Sequence, residues 1–556
     1  MNDLPKEFDL CVIGTGFQES VIAAAASRVG KSVLHIDQNE FYGGFWSSYN
    51  LENFMNHLEV NKAEETDKMC KIRNVNQQWY EFTDEIPEIN EWNKEKIIKD
   101  SRRFNIDLIP KLNYCNGKLV DLLISSNICR YTEFRAVDKV LTARNGQLDI
   151  VPGSRADIFT KKNVSIVEKR LLMKFITQCV EYKADDEKKE ETFDFPDDGK
   201  FIDLMRQQKL TDNLIHYILY SMCMGNDETT FKEGLDKIRM YLTSIGRYGN
   251  TPYLFPMFGC GEIPQCFCRL CAVFGGIYWL GQHVSDVNII DSDNDEKVVK
   301  MKFGDEFITS KKLVCGLDSN LLDINAYPTS HISRAVFITT KPVGGSSVNS
   351  ELDGGGVVLL YHPIEGSSDG VTMIQLSHFT SCISKGLYLV HLSTPFKKGA
   401  QNDLKDFVNT FFREDYSSDD DTKPTVIYSA YFEVPSSIKG HNYVDSQNGP
   451  IFYCCGSFAE LDYDESIRQS RLLYSKMYPD DDFLPKAPEP EEIIIGDEDE
   501  TNSSVNLGAL ADLVIENDKS GDNEGQETVN DDIKAENEHP VDENKDTEST
   551  NDIEKA

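Results

Sequence analysis

The sequence predicts an α/β fold: a discontinuous domain of dinucleotide-binding type, interrupted by an all-helical insertion and followed by a disordered acidic C-terminal tail. Three observations predict it. Residues 8–37 read as a strand, a glycine turn, a helix and a second strand. Residues 151–246 carry a helical apolar period, and strand-like runs return after residue 312 to close the domain around that insertion.

FDLCVIG, residues 8–14, is a short apolar run of the kind that makes a buried parallel strand. ESVIAAAASRVG then reads as a helix, rich in alanine for close packing and stopped by Gly30. KSVLHID, residues 31–37, is a second strand ending in Asp37, where such folds place an acid for the ribose hydroxyls. The turn between them departs from the fingerprint G-x-G-x-x-G. Gly14 and Gly16 fill the first two places and Glu19 the third. A carboxylate stabilises a helix start, but at a few ångströms from a pyrophosphate it costs roughly 4 kcal/mol per phosphate charge at an effective dielectric near 20. The degenerate turn Gly14, Gly16, Glu19 therefore predicts a chain that binds neither FAD nor NAD.

Within 151–246, VSIVEKRLLMKFITQCVEY puts Val167, Leu171, Phe175 or Ile176 and Cys179 on one helical face. TFKEGLDKIRMYLTSIG does the same with Phe231, Leu235, Ile238, Leu242 and Ile245, and Gly246 stops it. LTDNLIHYILYSMCMG is apolar nearly all round, so it is either buried or lines a greasy cavity; packing of helix on helix is the usual outcome. The charged stretch 181–200 predicts a mobile surface loop. Strands are expected at 312–317, 334–340, 356–361, 387–392, 425–434 and 451–457, then a last helix in DESIRQSRLLYSKMY. This is the flavoprotein-like, FAD/NAD(P)-binding-type plan of flavin monooxygenases and amine oxidases.

The net charge of −36 falls unevenly: residues 491–556 hold 22 Asp and Glu against 4 Lys, half of the total. That composition predicts a solvated tail and argues against nucleic acid as a partner. No apolar run is long enough for a membrane helix, the N-terminus is too acidic for a secretory signal, and fourteen cysteines without one imply free thiols in a reducing, cytosolic setting. Cys260, Cys266, Cys268 and Cys271 lack paired metal-ligand spacing, so packing residues are the favoured reading and no metal is expected, with zinc the minor alternative.

IGTGFQES, VLHIDQNEFYGG, RFNIDLIPKLNYCNGKLVDLLISSNICRYTEF and GRYGNTPYLFPMFGCGEIPQCFCRLCAVFGGIY resemble the shared blocks of the family uniting Rab GDP-dissociation inhibitors and Rab escort proteins. The resemblance runs from about residue 8 to 480 and implies a flavoprotein fold without the flavin. Phe45 after Gly43 and Gly44, and Ser457 after Gly456, depart from amine oxidases in the same direction. The charged insert, the long tail and QCFCR place the chain nearer the escort branch than the inhibitors.

The resemblance then implies a non-catalytic accessory subunit of Rab geranylgeranyl transferase. It implies three partners: GDP-bound, unprenylated Rab GTPases, the catalytic α/β heterodimer, and the geranylgeranyl lipid during delivery to membranes. By motif match it assigns Tyr42, Glu262, Gln265 and Arg269 to the Rab-binding platform. It also implies a division into 1–135 with 247–485 as the Rab-binding domain, 136–246 as the helical domain on the prenyl and transferase side, and 486–556 as tail. A flavin oxidase is the rival class. On residue type alone, Tyr42 and Gln265 could be ordinary turn and surface residues, and Glu262 with Arg269 a mutual ion pair of little energy.

Overall fold

The computed structural model describes residues 4–63, 71–80, 92–144, 147–153, 164–182, 193–292, 296–317, 319, 321, 329–344, 355–364, 367, 369–414, 423–444 and 449–486. The expected acidic tail beyond 486 lies outside them, as do residues 183–192 of the charged insert.

The N-terminal unit forms as the apolar runs require. β1 (Glu7–Ile13), α1 (Phe17–Arg28) and β2 (Val33–Ile36) build a β-α-β unit, with β1 and β2 parallel in the register Cys11 to Leu34. They sit in a seven-stranded sheet in the order Ile277–Trp279, β2, β1, Glu306–Cys315, Lys297–Phe303, Asp286–Asp291, and Ile451–Tyr453 also pairs with Glu306–Cys315. The C-terminal strand thus returns to the N-terminal sheet, and the Asp464–Met477 helix packs on α1 with Tyr474, Ile467 and Leu473 buried. Ala23 to Ala26 are fully buried, and their small side chains let α1 press against the Glu262–Val273 helix.

Most of the middle strands do not join this sheet. They form a second, eight-stranded and mostly antiparallel sheet. Its order is Arg73–Trp79, Val426–Ser437, Thr329–Thr339, Tyr388–Pro395, Gly370–Leu376, Val357–Pro363, Lys139–Arg144, Gln147–Ile150. Residues 139–150 are therefore strand, not part of the helical insertion as the 136–246 boundary has it. One face of this sheet and the inserted helices share a single apolar core that includes Leu359, Ile374, Phe432, Phe201 and Tyr241.

Ile166–Glu181 begins with a capping box between Ser165 and Glu168 and buries Leu172, Phe175 and Cys179. Val167, expected inside, is 65 % exposed, because its first-turn position faces out before the helix reaches the core. In Phe231–Ser244 the buried face is Phe231, Leu235, Ile238 and Tyr241, with Leu242 and Ile245 half-buried. The all-round apolar segment is buried and includes a π-helical stretch, His216–Met222, held by Thr142 through His216 Nε2 at 2.8 Å and Ser221 Oγ at 2.7 Å. The described end of the charged insert, 193–200, is mostly exposed and without helix or strand, and it is anchored by Phe193, which is buried with its ring centroid 6.0 Å from that of Phe231.

Candidate functional site

The turn after β1 is complete without a ligand. Asp37, at the end of β2, is buried and receives four donors from its own chain. Thr15 N–H and Thr15 Oγ1 reach Oδ2 at 2.8 and 2.5 Å, and Asn39 N–H and Nδ2 reach Oδ1 at 2.8 and 2.9 Å. These are the carboxylate oxygens that would otherwise take ribose hydroxyls. Glu19 is buried in the first turn of α1, its Oε2 only 2.6 Å from where a Cβ on Gly16 would stand. A carboxylate thus fills the helix N-terminus that would receive a pyrophosphate. The cavity beside Gly14 and Asp37 measures ≈ 30 Å³, about the size of one water and far below a cofactor pocket of roughly 300 Å³ or more. The residues present do not fit a dinucleotide.

The same turn supports the loop that carries Tyr42. Thr15 Oγ1, donating to Asp37, accepts from Gly43 N–H at 2.8 Å. Gly43 has φ +103°, a left-handed conformation that disfavours side chains, and a Cβ there would meet Ser47 Oγ at 2.9 Å. Ser47 Oγ donates to the Tyr42 carbonyl at 2.9 Å, closing the turn. Tyr42 is half-buried, edge-on to Tyr278 with ring centroids 5.7 Å apart, and burial raises its phenol pKa. Tyr278 in turn donates to His35 Nδ1 at 3.1 Å. His35 Nε2–H donates to the Gly14 carbonyl at 2.6 Å, a neutral ring whose pKa burial pushes down to about 4.

The second side of the site is the Glu262–Val273 helix. Its entry is set by Asp107, whose Oδ1 accepts from Cys260 N–H at 2.9 Å and from Ser48 Oγ, while Gly261 N–H donates to Ser48 Oγ at 2.8 Å. Gly261 permits this approach: a Cβ would lie 2.6 Å from the Ser48 backbone nitrogen. Burial pushes Asp107 up to about 6, and the fully buried Arg334 guanidinium donates to the carbonyls of Leu108 at 2.8 Å and Asp107 at 3.3 Å.

Glu262, Gln265 and Arg269 fall at helical spacing on one face of this helix, with Gln265 and Arg269 exposed and Glu262 half-buried, its pKa raised by burial. No ion pair joins Glu262 and Arg269 among the described residues. Arg269 instead lies over the Tyr131 ring, 4.5 Å from its centroid. Cys266, Cys268 and Cys271 face the core side of the helix, buried with Cys260 as packing residues, and no metal-binding cluster occurs among the described residues.

Tyr42 and Gln265 meet across an open groove of ≈ 670 Å³ whose other wall is α2 (Leu51–Ala63) and the Ser101–Arg103 turn. That wall was missed in the sequence. Its signal was the spacing Asn50, Asn53, Asn56, polar positions three apart leading into and along a helix.

The sequence model of the family described as "GDI: GDP dissociation inhibitor" matches residues 4–81 and 77–408. A Drosophila melanogaster protein named Rab proteins geranylgeranyltransferase component A is 41% identical over 506 residues, spanning 90% of this chain and 94% of that protein. Homo sapiens Rab proteins geranylgeranyltransferase component A 1 is 31% identical, spanning 88% of this chain and 94% of its own length. Among solved structures, a Rab GDI from Plasmodium falciparum superposes with a TM-score of 0.61 at 18% identity, covering 86% of this chain and 99% of that one.

Proposed function

The chain belongs to the GDP dissociation inhibitor family, and from that membership we propose that it works as a Rab escort protein. It binds newly made, GDP-bound Rab GTPases, presents their C-terminal cysteines to the catalytic α/β heterodimer of Rab geranylgeranyl transferase, and shields the attached lipid on the way to a membrane. The protein itself is non-catalytic and holds no dinucleotide. It works in the cytosol, in keeping with the finding that no helix among the described residues is long and apolar enough to cross a membrane.

One observation carries this reading: the nucleotide turn is engaged from within and serves as a scaffold for Tyr42. Tyr42, Glu262, Gln265 and Arg269 form the Rab-binding platform, an aromatic anchor beside a carboxylate, an amide and a forked guanidinium, the groups that specific polar interfaces use. The domain made of 1–135, the strands Lys139–Arg144 and Gln147–Ile150, and 247–485 carries that platform. The helices from Ile166 to Ser244 face the transferase and the prenyl chain, with Asp203, Arg206 and Gln207 on the exposed side of Phe201–Gln207.

The test is size-exclusion chromatography of the full chain with an unprenylated, GDP-loaded Rab and the catalytic heterodimer. A ternary complex is expected. Binding of prenylated Rab alone, with no association with the transferase, would overturn this reading in favour of a dissociation inhibitor.

A further inference from the structure

The groove beside Tyr42 has an unusual lining for so acidic a chain. The protein carries 93 Asp and Glu, yet among the described residues none lines the groove, and the one cation lining it is Arg102. His57 contributes no charge near neutral pH, because burial pushes its pKa down to about 4 while it stacks on Tyr49 with ring centroids 5.0 Å apart. Among the described residues, the side chains of Arg102, Asn53, Asn56 and Gln265 make no hydrogen bond or ion pair with the rest of the chain. Three of them are amides, able to donate and accept together, and the fourth is a forked donor suited to a carboxylate.

The backbone that carries three of these groups is tied from behind. Ser101 Oγ accepts from Glu52 N–H at 2.7 Å and donates to Asn50 Oδ1 at 3.3 Å, while Asn50 Oδ1 also accepts from Asn53 N–H at 2.8 Å. The turn that carries Arg102 is thereby fixed to the helix that carries Asn53 and Asn56. A concave, aromatic-walled channel carrying amides with open hydrogen-bonding capacity matches the alternating N–H and C=O groups of an extended backbone.

We propose that this groove receives an extended, carboxylate-bearing segment of the GTPase seated on the neighbouring platform, with Arg102 pairing with the carboxylate and the amides of Asn53, Asn56 and Gln265 holding the segment's backbone. The proposal rests on the platform reading, because Tyr42 and Gln265 belong to both surfaces. That continuity favours the GTPase over the transferase as the occupant, and the absence of acidic lining residues favours an acidic segment.

The experiment titrates GDP-loaded, unprenylated Rab against the full chain, Arg102→Glu, Arg102→Lys, the double variant Asn53→Ala with Asn56→Ala, and Arg269→Glu, with circular dichroism on each. Arg102→Glu is expected to weaken binding roughly tenfold or more and to flatten its salt dependence, with Arg102→Lys recovering part of the loss. A photo-crosslinking residue at Asn56 should then label a Rab peptide that contains an acidic residue.

Full affinity in folded Arg102→Glu would overturn the groove proposal, and loss of affinity in Arg269→Glu alone would leave the platform standing without it. Crosslinking to the transferase or to another part of this chain would also overturn it. Absence of any Rab binding by the unaltered protein would instead remove the platform reading, and the groove proposal with it.

Discussion

At the scale of single residues, the motif blocks made the candidate positions legible but not their surroundings. Arg269 was open to two readings, internal ion pair or exposed contact. It lies over Tyr131, free of Glu262, because the helix turns Gln265 and Arg269 outward while its cysteines face the core. Reversing its charge should therefore spare the fold. Arg269→Glu is expected to weaken Rab binding about thirtyfold or more, a loss of roughly 2 kcal/mol, measured by titration with an unchanged melting temperature.

Asp107 was not singled out in the sequence, since nothing in RFNIDLIP marks its aspartate as buried. Its pKa rises from 3.8 to about 6, so between those values the folded state binds the extra proton and stability falls as pH rises. Asp107→Asn should lose that component. Relative to wild type, the variant gains on the order of 2 to 3 kcal/mol as pH goes from 4 to 7, read as the difference between the two melting profiles. Equal pH slopes in the two proteins would contradict the burial argument.

Among the elements, β1, α1 and β2 were legible because a short apolar run, an alanine-rich helix and a stop glycine each agree with one local structure. The second sheet was not. Arg73–Trp79 is a largely polar strand, RNVNQQW, and which sheet the middle strands join depends on pairings between residues 87 to 360 apart in the sequence. The groove wall escaped for a similar reason, since α2 and the Ser101–Arg103 turn meet only in the folded chain. The glycines of MFGCGE were read only as a family block, but close packing explains Gly261. Gly261→Ala should push the start of the Glu262–Val273 helix away from Ser48. We expect a loss of about 1 to 3 kcal/mol in thermal denaturation, accompanied by weaker Rab binding. A variant as stable as wild type would show that the approach is not constrained as described.

For the whole molecule, the expectation of no cofactor came from the turn at Glu19, and the structure adds a physical reason for it: the Asp37 carboxylate that would serve a ribose accepts from Thr15 instead, and Thr15 Oγ1 accepts from Gly43 N–H of the Tyr42 loop. The purified protein should accordingly release no stoichiometric flavin on denaturation, measured by fluorescence of the supernatant; one flavin per chain would contradict that account. The central claim is that a dinucleotide-type scaffold, closed to its ligand, serves as a platform that carries a GTPase to a separate enzyme. Its most direct test is geranylgeranyl transfer to an unprenylated, GDP-loaded Rab by the catalytic heterodimer, with and without this protein. The account predicts transfer that depends on the protein and falls with Arg269→Glu at limiting concentration; equal transfer in its presence and absence would contradict it.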